Sequence, residues 1–142
     1  MRRNILMKQI LCVLFVLLSM TPVAFADSDP CEKTVTDNEI NACAKARLDT
    51  ADQKLNDTYK QLMSFLSQPD YRGRSNEFAK KNLIKAQRHW INLRDVDCDV
   101  VSFLNSEGTI RTYLHLQCKV EMTLQRESHL RTWFLQDFIK AR

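Results

Sequence analysis

The apolar residues of one long segment recur at steps of three and four over about seven helical turns. They are Ile40, Ala44, Leu48, Ala51, Leu55, Tyr59, Leu62 and Leu66. This spacing predicts a long helix with one apolar stripe, and the charged residues Asp49, Asp52, Lys54 and Lys60 are expected on its other faces. Thr36 and Glu39 have capping-box spacing, so the helix is expected to begin there.

Two further helices are predicted after a polar loop at residues 67–75. The second is expected over residues 76–105, with an apolar side formed by Leu83, Ala86, Trp90, Leu93, Val100, Val101 and Leu104. A stop signal around Gly108 precedes the third, whose apolar residues are Tyr113, Leu116, Val120, Leu124, Leu130, Phe134 and Phe138. The 142 residues include two glycines, too few for a β-rich fold with many tight turns. The predicted fold is all-α, a small antiparallel bundle of three main helices.

The first 26 residues have the features of a secretory signal peptide. Basic residues near the start precede an apolar run at residues 10–18, and residues 24–26 give a small-x-small cleavage pattern. The alternative is a membrane anchor, but the run is far shorter than the roughly 20 residues needed to span a bilayer. We predict a signal peptide at residues 1–26 and a single helical domain at residues 27–142. The chain is expected to reach the periplasm or the medium by the general secretory route, without a stable membrane anchor.

Four cysteines follow the predicted cleavage point: Cys31, Cys43, Cys98 and Cys118. An even number in a small exported domain indicates two disulfides. A metal site would need close-set ligand pairs, and a redox site would need C-x-x-C; both patterns are absent from the sequence. Cys98 and Cys118 each lie ten residues from Gly108, so a helical hairpin turning there would bring them level. Of the three pairings, we prefer Cys98–Cys118 with a local Cys31–Cys43 bridge, each stabilising by about 3 kcal/mol.

Composition and motifs exclude several functions. Residues 27–142 hold 18 basic and 17 acidic residues, a balance of +1, which gives no support for nucleic-acid binding. Asp95, Asp97 and Asp99 are spaced by two and scatter around a helix, whereas glycoside hydrolysis needs two carboxylates facing one cleft. No matched nucleophile and histidine are evident. We therefore predict that the chain is not an enzyme and uses no cofactor and no metal.

The same hairpin register pairs other residues of the second and third helices. Positions equally far from Gly108 should face each other, which places Trp90 near Arg126. A cation–π contact is expected there. Arg94 should lie near Glu121 or Met122, and an ion-paired network with Glu121 or with its neighbours Asp95 and Asp97 is expected.

Four short patterns occur in order along the chain. Cys31, Thr36, Glu39, Asn41 and Cys43 form the first, and Leu55, Asn56 and Tyr59 belong to the second, at residues 51–59. The third contains Gln87, Trp90, Arg94, Asp95 and Cys98, and the fourth Cys118, Thr123, Arg126 and Leu130. Together they resemble the lysozyme-inhibitor LprI-like family. The resemblance implies a small exported helical protein of the bacterial envelope whose partner is a protein, lysozyme or another peptidoglycan-cleaving enzyme.

Most residues of these patterns are interpreted as structural. Trp90 shares a helix face with Leu83, Leu93 and Cys98, which favours a place in the core over a binding surface. Leu55 and Tyr59 belong to the first apolar stripe, and Asn56 either bonds between helices or faces water.

The loop at residues 67–75 is the candidate for partner contact, because Tyr71, Arg72 and Arg74 are residue types favoured in interfaces. A protruding arginine could enter a cleft lined with carboxylates, whereas the alternative is an ordinary solvated connector.

The sequence thus favours an exported inhibitor that occludes the cleft of its target enzyme. Two alternatives remain open. One is an immunity-type protein that neutralises a periplasmic toxin, and the other is a structural or stress-related envelope protein without an enzyme target.

Overall fold

The computed structural model describes residue 31 and residues 36–68 and 76–136. These residues form helices α1 (Asp37–Leu66), α2 (Glu77–Leu104) and α3 (Arg111–Leu130), followed by a π-helical turn at Arg131–Leu135. The described part of the chain contains no strand. The all-α prediction is therefore confirmed. The predicted signal peptide, most of the loop between α1 and α2, and Phe138 lie outside the described residues.

The predicted start of α1 is confirmed by a complete capping box. The Thr36 hydroxyl accepts from the backbone N–H of Glu39, and the Glu39 carboxylate accepts from the backbone N–H of Thr36 at 2.9 Å. These two bonds satisfy donors that would otherwise be unpaired at the helix start. The first residues before α2 and α3, Asn76 and Ile110, make no such side-chain cap.

Helix α3 lies between the other two and packs against both, whereas α1 and α2 touch each other little. One cluster of the core joins Leu48 and Ala51 to Val120. The other comprises Leu55, Leu62, Leu66, Leu83 and Leu130. Since later residues of α1 meet later residues of α3, these two helices run parallel and α2 runs antiparallel to them. The chain therefore runs up, down and up, as the three-helix prediction requires.

Both predicted disulfides are present. Cys31 bonds to Cys43 at the start of α1, and Cys98 bonds to Cys118 between α2 and α3. Cys98 is fully buried. The ten-residue symmetry about Gly108 thus correctly located the covalent link of the hairpin.

The prediction of the apolar side of α2 is partly wrong. Leu83 is buried, but Leu93, Val100 and Leu104 are more than half exposed, and Ala86 is exposed as well. The cause is the layout of the helices. Because α2 packs mainly on α3, only a strip that includes Leu83 and Cys98 is buried. Trp90 and Val101 are half-buried, and the other predicted apolar residues are exposed.

The end of α3 also differs from the prediction. The α-helix stops at Leu130 and the chain continues as a π-helical turn. Leu124 and Phe134, expected on the apolar side, are 42% and 38% exposed. The apolar stripe of α3 is therefore covered mainly by α1 and α2 up to Leu130.

Candidate functional site

Arg94 joins all three helices. Its Nη1 donates to Asp52 of α1 at 2.9 Å and to the hydroxyl of Thr123 on α3 at 3.1 Å, while its Nε donates to Asp95 at 3.1 Å. The predicted Arg94–Asp95 pair is confirmed. The sequence analysis did not find the Asp52 partner: this half-buried carboxylate accepts from a guanidinium that is itself only 12% exposed. Arg94 bonds to Thr123 and not to the neighbouring Glu121 or Met122 of the predicted register.

Asp95 is held in the charged form by two cations. Burial raises the pKa of Asp95, but this effect is outweighed by the hydrogen bond and charge of Arg94 and by the charge of Lys119, which lower it. The pKa of Asp95 is therefore below its ordinary value. The Lys119 ammonium is 3.3 Å from the same carboxylate. Arg94 and Lys119 are thus paired with the carboxylates of Asp52 and Asp95, and the cluster links the three helices.

Trp90 is in contact with two guanidinium groups. The Cζ of Arg94 is 5.3 Å and the Cζ of Arg126 is 5.9 Å from its ring centroid. The predicted Trp90–Arg126 contact is confirmed. Arg126 Nε also donates to the side chain of Gln87 at 3.1 Å, and burial lowers the pKa of Arg126. Trp90 is half-buried and packs against the leucine core, so these residues hold α2 on α3.

A buried polar contact between α1 and α3 escaped the sequence analysis. The Thr58 hydroxyl donates to the Glu127 carboxylate at 2.7 Å, and Arg131 donates to the same oxygen. Burial raises the pKa of Glu127, but the hydrogen bonds from Arg131 and Thr58 and the charges of Arg131 and Lys54 lower it more. The available signal was the position of Thr58, which continues the apolar stripe at a step of three from Leu55.

The remaining residues of the four patterns have mainly structural surroundings. Leu55, Thr123 and Leu130 are buried, Tyr59 is half-buried against the core, and Asn56 is exposed. Asn41 lines a cavity of about 430 Å³ between the start of α1 and the α2–α3 turn, together with Arg47 and Tyr113. Tyr71, Arg72 and Arg74 lie outside the described residues, so their role in partner contact stays a prediction.

The described surface has one extended apolar feature on α2. Leu93, Val96, Val100, Phe103 and Leu104 form what we call the apolar ridge. Spaced at three, four, three and one, they fall within an arc of about 100° on the helix, nearly opposite the buried Cys98. Phe103 and Leu104 are 76% and 74% exposed, and the other three are just over half exposed. Contiguous exposed apolar side chains of this kind are typical of protein contact surfaces.

A second feature is a groove of about 430 Å³ where the ends of the three helices meet. Its floor is apolar, and its lining includes Leu62, Leu83, Arg126, His129 and Phe134. Its leucines belong to the main core cluster, so the groove is the open side of that core.

Two further findings concern the described residues only. They include no group of three or more histidine, cysteine, aspartate or glutamate side chains arranged to hold a metal ion. None of their helices combines the length and apolar character required to cross a membrane. The arrangement as a whole offers surfaces for contact with another macromolecule.

Comparison with known proteins agrees with the motif resemblance. An uncharacterized protein of Rhizobium meliloti (strain 1021) is 31% identical over 110 residues, which cover 71% of this chain and 76% of that protein. No solved structure matches the chain. Residues 28–130, which include all three helices, match the family described as lysozyme inhibitor LprI. The chain therefore belongs to the LprI lysozyme-inhibitor family.

Proposed function

We propose that this protein is exported and inhibits lysozyme or another peptidoglycan-cleaving enzyme by binding over its cleft. Family membership across the whole three-helix domain is the observation that carries this proposal. The two disulfides fit an oxidising compartment such as the periplasm, where peptidoglycan-cleaving enzymes act. The predicted signal peptide at residues 1–26 would bring the chain there.

Inhibition by binding over a cleft requires a rigid surface on the inhibitor and no catalytic residues. The disulfides and the Arg94 links hold the three helices in a fixed arrangement, so little ordering is needed on binding. From the sequence we proposed that Tyr71, Arg72 and Arg74 supply the cleft contact. A guanidinium makes charge-assisted bonds with carboxylates, and muramidase clefts carry catalytic carboxylates.

The test is a titration of the oxidised, exported protein against a chicken-type lysozyme and a panel of bacterial peptidoglycan hydrolases. We expect a stoichiometric loss of cell-wall cleavage with at least one enzyme. The double variant Arg72→Glu/Arg74→Glu should weaken inhibition if the loop enters the cleft.

A charge-matched control is Lys81→Glu/Lys85→Glu, which changes two exposed lysines of α2 by the same total charge. Equal effects of the two double variants would indicate a general electrostatic effect and argue against the loop. Unchanged cleavage by every enzyme of the panel would contradict the proposed function itself.

A further inference from the structure

We propose that the apolar ridge of α2 is the surface that binds the target enzyme, and that the enzyme presents a basic surface to it. This inference rests on the proposed function and adds the place and the chemistry of the contact.

The first argument is that folding leaves the ridge uncovered. Helix α2 is joined to α3 through Leu83, Trp90, Arg94 and the Cys98–Cys118 bridge, all on the other side of the helix. The five ridge side chains contribute to no buried cluster among the described residues and are each more than half exposed. Covering five neighbouring apolar side chains is the favourable step that a partner can supply.

The second argument is the charge around the ridge. Residues 92–110 contain four acidic residues and one basic residue, Arg94, whose guanidinium is bonded to Asp52 and Asp95. By helix geometry, Asp97 lies just outside one edge of the ridge and Asp99 just outside the other. The Asp99 side chain is 71% exposed, with the His115 ring 3.7 Å away, and Glu107 follows in the exposed turn. An apolar strip with an acidic rim is complementary to an apolar patch with a basic rim.

The charge order along α2 strengthens this reading. Residues 77–91 contain four basic residues and one acidic residue, the reverse of the balance around the ridge. A helix dipole favours acidic residues near the start and basic residues near the end, so helix stability gives no reason for this order.

The acidic residues beside the ridge also argue against a second copy of this chain as the partner that covers it. Two ridges packed face to face would bring two sets of three acidic residues together, Asp97, Asp99 and Glu107 of each copy, and such like-charge contact opposes association. A basic partner removes this repulsion. A chicken-type lysozyme, the first enzyme of the proposed function's panel, is the first probe.

The ridge and the 67–75 loop are alternatives, because they belong to opposite ends of α2. The helix has 28 residues and is about 42 Å long. One side of a standard protein interface is only roughly 30 Å across, given its area of about 800 Å². Variants at the two ends therefore separate the two surfaces.

The experiment measures binding and inhibition of a chicken-type lysozyme by the oxidised protein and three variants. Val100→Glu places a charge in the middle of the ridge and should weaken binding at least about 30-fold. Ile91→Glu is the matched control, since Ile91 is on the same helix, is 42% exposed and lies outside the ridge; it should bind within about twofold of the parent. Asp97→Lys should slow association about fivefold at low salt, and the effect should vanish at high salt.

Circular dichroism and thermal unfolding should show that all variants keep the parent fold, because each changed side chain is exposed. If the parent inhibits and Val100→Glu inhibits equally well, the ridge proposal is wrong and the proposed function stands. If the parent binds no enzyme of the panel, both fail. A concentration-dependent dimer that Val100→Glu disperses would assign the ridge to self-association and would also overturn the proposal.

Discussion

Helices α1 and α2 are similar in length and in apolar spacing, yet they differ in what their apolar residues do. The stripe of α1 is covered by α3 along most of its length, and Ala44, Leu48, Ala51, Leu55, Leu62 and Leu66 are buried. In α2, only Leu83 and Cys98 are buried, while the five apolar residues of the ridge are each more than half exposed. Spacing determines which side chains share a face, but the neighbouring helices determine which face is covered. An apolar face without a neighbour in the fold is available to a partner.

Truncation of one leucine on each helix gives the largest expected contrast. Leu62→Ala removes a fully buried side chain of the main cluster and should lower the free energy of unfolding by about 3 kcal/mol. Leu104→Ala removes a side chain that is 74% exposed and should change it by less than about 0.5 kcal/mol. Urea unfolding of both variants measures the difference. Comparable losses in the two would mean that the ridge is covered within the folded protein.

The polar link between α1 and α3 should make the stability of the fold depend on pH. Because the pKa of Glu127 is below its ordinary 4.5, ionisation of this carboxylate stabilises the fold above that pH. The stabilisation is lost as the pH falls through the lowered value. Glu127→Gln should therefore cost about 2 kcal/mol at neutral pH, and the gap from the parent should narrow below pH 4.5.

Unfolding free energies measured between pH 3 and 7 for both proteins test this expectation. Asp97→Asn is a suitable control, since it removes an exposed carboxylate of α2. A gap between Glu127→Gln and the parent that stays constant across the range would show that ionisation of Glu127 is not the source of the stabilisation.

The helix starts give the smallest effect and a further contrast. Thr36→Ala removes the capping box of α1 and should lower the free energy of unfolding by about 1 kcal/mol. Thr36→Ser keeps a hydroxyl at this position and should retain most of that stability. The start of α2 has no side-chain cap to lose. Thermal unfolding, with hydrogen exchange at the first turn of α1, distinguishes these variants. If Thr36→Ser is as unstable as Thr36→Ala, the cap hydrogen bond is not the cause.

Features that depend on local spacing could be predicted from the sequence. The start of α1, the turn near Gly108, the disulfide pairs and the Trp90–Arg126 contact all follow from steps along one helix or across one hairpin. The partners of Asp52 and Thr58 could not be found in this way. Asp52–Arg94 and Thr58–Glu127 join residues of different helices, so they depend on how α1 and α3 are rotated against each other. The exposure of the ridge has the same origin, because it depends on where α2 docks.

The pairing of the disulfides has a consequence for how the protein is made. Cysteines 31 and 43 are joined, and so are cysteines 98 and 118, so each of the four pairs with its nearest neighbour along the chain. A polypeptide that crosses a membrane N-terminus first delivers its cysteines to the oxidising side in that same order. Stepwise oxidation of each new arrival with the one before it yields the native pairing directly. With export as proposed above, this one of the three pairings would require no later exchange by an isomerase, and the bridges could be completed at the pace of translocation.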